Sequence, residues 1–155
     1  MPNIGEKVPN FTLPRDGGGL ISLSDFAGQY VVLYFYPRDN TSGCTIQSKE
    51  FSANAHAFSA LNTVILGVSK DSVKSHDNFV TKQELAIPLL SDADSDLCEQ
   101  FDVWAEKSMY GKKFMGIVRS TFIIDPNGIL VNEWRKVKVV GHVDAVLKTV
   151  QGLSA

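Results

Sequence analysis

Tyr30-Val31-Val32-Leu33-Tyr34-Phe35-Tyr36-Pro37-Arg38-Asp39-Asn40-Thr41-Ser42-Gly43-Cys44-Thr45 is the stretch on which the fold turns. Its first seven residues are apolar, aromatic or β-branched without interruption, which predicts a central strand buried on both faces. Pro37 ends that strand, because it has no N–H to give to a sheet ladder. Across residues 43–61, Cys44, Ser48, Phe51, Ala55 and Phe58 recur at alternating four- and three-residue steps, which predicts a helix with one inward face. A strand, a short loop and a helix in this order place Cys44 in the first helical turn. A helix N-terminus offers free N–H donors and the positive end of the macrodipole. Both favour the thiolate, which is the nucleophilic form of cysteine. Thr41, three residues earlier, carries a hydroxyl that can cap the helix, or bond the sulfur or a substrate oxygen. The ring of Pro37 can screen the sulfur from water. On position alone, both a nucleophile and an ordinary buried cysteine fit.

Beyond this stretch, residues 63–68 read as a second buried strand and 71–85 as a helix capped by Asp71 or Ser72. Residues 88–90 form a short strand and 95–101 a short helix. Upstream, Arg15-Asp16-Gly17-Gly18-Gly19 is a flexible turn between residues 10–14 and 20–23, which predicts a hairpin. Downstream, Asp125-Pro126-Asn127-Gly128 separates apolar runs at 119–124 and 129–134, a second hairpin. Residues 144–150 close the chain as a helix. This order predicts an α/β fold with a mixed central sheet and helices on both faces. No repeat or linker divides residues 1–155, so one domain is expected.

The 155 residues are 44% hydrophobic and 21% charged, with a formal net charge of −2. That balance shows no electrostatic footprint for nucleic acid. The opening residues lack the apolar core of a signal peptide, and no apolar run is long enough for a bilayer. Two cysteines, Cys44 and Cys98, make neither a disulfide framework nor a C-x-x-C pair. A reduced protein in the cytoplasm is expected, without a membrane partner.

Pro37-x-x-x-Thr41-x-x-Cys44 resembles the active-site motif of the peroxiredoxins, and the context is similar to the peroxiredoxin Q, or bacterioferritin comigratory protein, subfamily. Gly5-Glu6-Lys7-Val8-Pro9-Asn10-Phe11, Gly67-Val68-Ser69-Lys70-Asp71-Ser72, Leu89-Leu90-Ser91-Asp92 and residues 116–125 resemble its other blocks in order. The resemblance implies a thioredoxin-like fold with an added N-terminal hairpin, and reduction of hydrogen peroxide and organic hydroperoxides. Carried over by position, Cys44 is the peroxidatic cysteine, Thr41 orients the peroxide and Pro37 shields the sulfenic acid. Arg119 supplies a guanidinium that stabilises the thiolate and polarises the O–O bond. Without the resemblance, Arg119 reads better as a surface charge at a strand end. A monomer is the expected state.

The chain departs from the subfamily pattern. Ser42 stands where the motif usually has proline, and Gln47 where relatives often carry glutamate. Lys49 and Val80 occupy the positions where relatives place a second, resolving cysteine. Cys98 reads as structural, because free cysteines tend to be buried. A one-cysteine cycle follows, completed by an outside thiol such as glutathione, glutaredoxin or thioredoxin. The alternatives are a cycle resolved by Cys98, a thiol-disulfide oxidoreductase, and a redox sensor or holdase.

Other signals carry less. Asp92-x-Asp94-x-Asp96 opens like a calcium loop, but Leu97 and Val103 stand where glycine and glutamate belong. His56, His76 and His142 show no metal-ligand spacing and read as surface or capping residues. Arg135-Lys136-Val137-Lys138 reads as a solvated strand end. With no phosphate loop or dinucleotide fingerprint, no cofactor and no metal are expected.

Overall fold

The computed structural model describes residues 2–154. Strands β1 (Thr12–Pro14) and β2 (Leu20–Ser22) form the N-terminal hairpin, followed by a 3-10 turn at Leu23–Phe26. Strand β3 (Tyr30–Phe35) leads into helices α1 (Ser42–Ala53) and α2 (Ala55–Ser59). Then come β4 (Thr63–Ser69), α3 (Val73–Gln83), β5 (Leu89–Ser91) and α4 (Leu97–Gln100). A hairpin of β6 (Trp104–Met109) and β7 (Lys112–Ile117) precedes β8 (Ser120–Ile124), β9 (Leu130–Arg135) and α5 (His142–Ser154). The five-stranded sheet has the order β5-β4-β3-β8-β9. β3, β4 and β5 run parallel, and β8 and β9 pair antiparallel to complete a mixed, thioredoxin-like sheet.

The β3 run is buried on both faces as expected, and its period-two alternation sorts the core into two halves. Val31, Leu33 and Phe35 point into one cluster with Leu13, Ile21, Val68, Leu97, Cys98 and Phe101. Val32, Tyr34 and Tyr36 point into the other with Cys44, Phe51, Phe58, Phe79, Val143 and Val146. Helices α1, α2, α3 and α5 therefore cover one face. The N-terminal hairpin and the single turn of α4 cover the opposite one. Gly67 sits in the middle of buried β4 because a Cβ there would lie 2.7 Å from the Tyr34 ring and from Leu89.

The structure corrects the sequence reading at several points. The helix expected over 43–61 breaks at Asn54, whose side-chain amide donates to the Glu50 carbonyl at 2.8 Å and competes with the helical ladder. Of the two caps expected for α3, Ser72 is the one that serves, accepting the Ser75 N–H at 3.1 Å. The β6–β7 hairpin falls in a segment that the sequence reading leaves unassigned. His76 and His142 are buried rather than exposed or capping, and only His56 lies at the surface. Asp92, set aside as a turn residue, is fully buried. It accepts the N–H groups of Leu97 and Cys98 and pairs with Lys70 at 3.1 Å.

Candidate active site

Cys44 is the third residue of α1 and is 1% exposed. The helix starts there because Thr41 is extended at φ −84°, and its carbonyl accepts both the N–H and the hydroxyl of Thr45, at 2.8 and 2.7 Å. Arg119 lies just ahead of β8, one strand away from β3, and its guanidinium forks over the start of α1. Nη2 donates to Cys44 Sγ at 3.3 Å, and Nη1 donates to Gln47 Oε1 at 2.5 Å. Gly43 leaves room for the fork, since a Cβ there would sit 3.2 Å from Nη2. Gln47 is fully buried, and its Nε2 has no hydrogen-bond partner among the described residues. Of the four residues expected at the site, the structure thus brings Cys44 and Arg119 into direct contact.

Thr41 occupies the N-cap position of α1, but its side chain makes no capping bond. Its hydroxyl donates to the Arg38 carbonyl at 2.9 Å and ties the loop into an arch, leaving the side chain exposed. Pro37 is half-buried where the arch leaves β3. Asn40 adopts φ +62°, a left-handed conformation that asparagine tolerates better than most residues.

Beneath the arch lies a buried polar network that sequence reasoning missed. The Asp39 carboxylate accepts from the Tyr36 hydroxyl at 2.6 Å and the Ser75 hydroxyl at 2.8 Å, and it pairs with His76 Nδ1 at 2.7 Å. The Asp39 N–H donates to Asp71 Oδ2 at 2.8 Å, and His76 Nε2 contacts the Leu90 carbonyl at 2.9 Å. With an acceptor at each ring nitrogen, the imidazolium is the form that satisfies both. Burial opposes that charge. The Asp39 bond and charge, the Leu90 carbonyl and Asp71 outweigh it and raise the His76 pKa. The network's stability contribution is therefore fully present below the ordinary histidine value of about 6.5 and is lost as pH rises through the raised value. Asp39→Asn is expected to cost about 3 kcal/mol near pH 6, because it strands a buried cation. The urea midpoint measured against pH checks this. A penalty that stays constant with pH would show that the pair carries no charge.

On the far side of Cys44, His142 bonds Thr121 Oγ1 at 2.8 Å and packs edge-on against Trp134. Burial, then the Arg119 charge, pushes its pKa down to about 4, so it is neutral at neutral pH. The half-buried Lys107 of β6 feels the same field: burial first, then Arg119, lowers its pKa, with Cys44 opposing. His142 falls ahead of the helix expected at 144–150 and reads there as a surface or capping residue, whereas α5 begins at it. Lys107 lies in the unassigned segment.

Cys98 sits in the opposite half of the core, on α4, fully buried. Burial pushes its thiol far up, and the Asp92 carboxylate adds to that. The whole thickness of the sheet stands between the two sulfurs.

A sequence profile of the AhpC/TSA family matches residues 4–133. The chain belongs to that family. Within it, the similarity is to the peroxiredoxins. Peroxiredoxin Bcp of Xanthomonas campestris is 54% identical over 139 residues, covering 88% of this chain and 87% of the relative. Peroxiredoxin Bcp of Bacillus subtilis is 48% identical over 151 residues, covering 97% and 96%. A cysteine-to-serine mutant of Xylella fastidiosa PrxQ superposes with a TM-score of 0.95 at 44% identity, covering 100% of this chain and 99% of that one. A structure of the X. campestris bacterioferritin comigratory protein, determined to study its alkyl peroxide reduction, superposes at 0.89 with 50% identity, covering 94% and 92%. As a peroxiredoxin the chain is a thiol-dependent peroxidase, with peroxides as substrates and a thiol as reductant. Among the described residues, no helix is long and apolar enough to cross a membrane.

Proposed function

We propose that Cys44 attacks hydrogen peroxide and organic hydroperoxides, and that an external thiol completes a one-cysteine cycle. The thiolate displaces alkoxide or hydroxide from the peroxide and becomes a sulfenic acid. Arg119 assists by holding the thiolate and polarising the O–O bond, and Thr41 and Pro37 shape the space above the sulfur. One observation carries the one-cysteine reading: Cys44 and Cys98 occupy opposite faces of the central sheet. A disulfide needs Cα atoms within about 7 Å, so joining these two would require backbone movement around the sheet. Lys49 is exposed on α1 and Val80 packs from α3, so neither position offers a sulfur. A steady supply of thiol is a property of the cytoplasm, where this reading puts the protein, acting as a monomer with glutathione, glutaredoxin or thioredoxin as donor.

After one equivalent of peroxide, Cys44 is expected to persist as a sulfenic acid that a dimedone-type probe traps. Cys98→Ser is expected to retain nearly full activity with a small thiol. A Cys44–Cys98 disulfide found by non-reducing peptide mapping would overturn the reading and make Cys98 the resolving cysteine.

Thr41→Val keeps the shape but removes the hydroxyl that closes the arch and that this reading assigns to the peroxide. A loss of about tenfold in the peroxide step, or about 1.4 kcal/mol, is expected. If only the melting temperature fell, Thr41 would be structural and not a substrate ligand.

A further inference from the structure

Among the described residues, Arg119 pairs with no carboxylate. Its fork is held by the neutral amide of Gln47 and by Cys44 Sγ. When Cys44 ionises for attack, its thiolate offsets the guanidinium. Oxidation to a neutral sulfenic acid removes that offset and leaves a half-buried cation with only an amide for company. The surroundings add positive charge. The Val137 N–H donates to the Arg119 carbonyl at 2.9 Å, so the backbone carrying Lys136 and Lys138 runs beside the site. Val139 Cγ2 would lie 3.9 Å from a Cβ at Gly43, which sets that segment against the first turn of α1. Lys136 and Lys138 are exposed, and Lys107 comes from β6. Two carboxylates on strands of this region are paired with other cations: Glu106 with Lys113 at 3.7 Å and Glu133 with Arg135 at 3.4 Å.

We propose that Arg119, Lys107, Lys136 and Lys138 form a cationic collar that selects an anionic, carboxylate-bearing thiol as the reductant of the Cys44 sulfenic acid. This rests on the external-thiol reading given above and names the class of thiol. The selection belongs to the oxidised state, because oxidation raises the positive charge of the site by one. The peroxide meets the reduced state, where the collar is partly offset. In the chemistry, the reductant thiolate attacks Cys44 Sγ, forms an S–S bond and expels hydroxide, which leaves as water with one proton. A second thiolate attacks the outer sulfur of the mixed disulfide, releasing the Cys44 thiolate and a symmetrical disulfide. Two thiols are oxidised for each peroxide reduced to alcohol and water.

The test uses full-length Cys98→Ser protein carrying the Cys44 sulfenic acid, mixed with 3-mercaptopropionate, 2-mercaptoethanol or cysteamine. Each rate is normalised to thiolate concentration and to the same thiol's rate with an uncharged aromatic disulfide. The anionic thiol is expected to react about tenfold faster than the cationic one at low ionic strength. The gap should close in 0.5 M salt, where the screening length is about 4 Å. Lys136→Gln with Lys138→Gln should narrow the ratio, and so should Gln47→Glu, which supplies Arg119 with an internal counter-ion. The same comparison with an anionic and a neutral hydroperoxide on the reduced enzyme should give a smaller ratio. Equal normalised rates for the three thiols, or a ratio indifferent to salt and to these variants, would overturn the inference alone. Failure of all three thiols to reduce the sulfenic acid would overturn the external-thiol reading, and this inference with it.

Discussion

Cys44→Ser is expected to reduce peroxide no faster than buffer. The reaction needs a polarisable anion to displace a leaving group from oxygen, and a serine hydroxyl ionises far too weakly to provide one. Arg119 and the N-terminus of α1 cannot compensate, because their effect is to favour an anion that serine does not form. The substitution is close to isosteric, and the serine oxygen can accept the Nη2 bond now made to sulfur. The fold should therefore survive, with a change in stability within about 1 kcal/mol. Two measurements check this together: steady-state turnover with excess thiol, and the urea midpoint. Turnover clearly above background in a folded Cys44→Ser protein would mean that the peroxide is reduced elsewhere.

Arg119→Met is expected to slow Cys44 oxidation about a thousandfold, or about 4 kcal/mol. In the proposed mechanism, the change removes the charge that would hold the thiolate and polarise the O–O bond. It also strips Gln47 Oε1 of its donor, in a residue whose Nε2 already lacks a partner. Burying a second unsatisfied atom there should disturb the start of α1 as well. Arg119→Lys separates the two effects. It restores the charge but cannot span Sγ and Oε1 with one rigid fork, so it should recover only part of the rate. Stopped-flow oxidation of the reduced protein, followed by intrinsic fluorescence, reads the step directly. A rate unchanged in Arg119→Met would rule out the role.

The central strand was legible because Tyr30 to Tyr36 admits only a doubly buried strand, and Cys44 because the loop that follows leaves it at a helix start. The Asn127-Gly128 turn and the three glycines at 17–19 marked both expected hairpins. What failed was local chemistry overruled by tertiary partners. Nothing in the sequence distinguishes His76 from a surface histidine until Asp39, 37 residues earlier, is folded beneath it. The break at Asn54 depends on a side chain reaching back one turn. The β6–β7 hairpin has many exposed residues, including Met109, Tyr110 and Phe114, so no inward periodicity announces it. Arg119 was placed by resemblance, and its contact with the sulfur required the register of β8 against β3.

The sheet that parts the two sulfurs also bears on how the protein ages under stress. A peroxidase able to fold its oxidised sulfur into an internal bridge can wait out a shortage of donor unharmed. In the one-cysteine cycle proposed above, the oxidised atom would have no refuge within its own chain, and each encounter with a second peroxide before rescue would be a chance of permanent loss. The surviving active fraction then becomes a running ledger of the balance between oxidant and donor, written one molecule at a time and erased only by new synthesis.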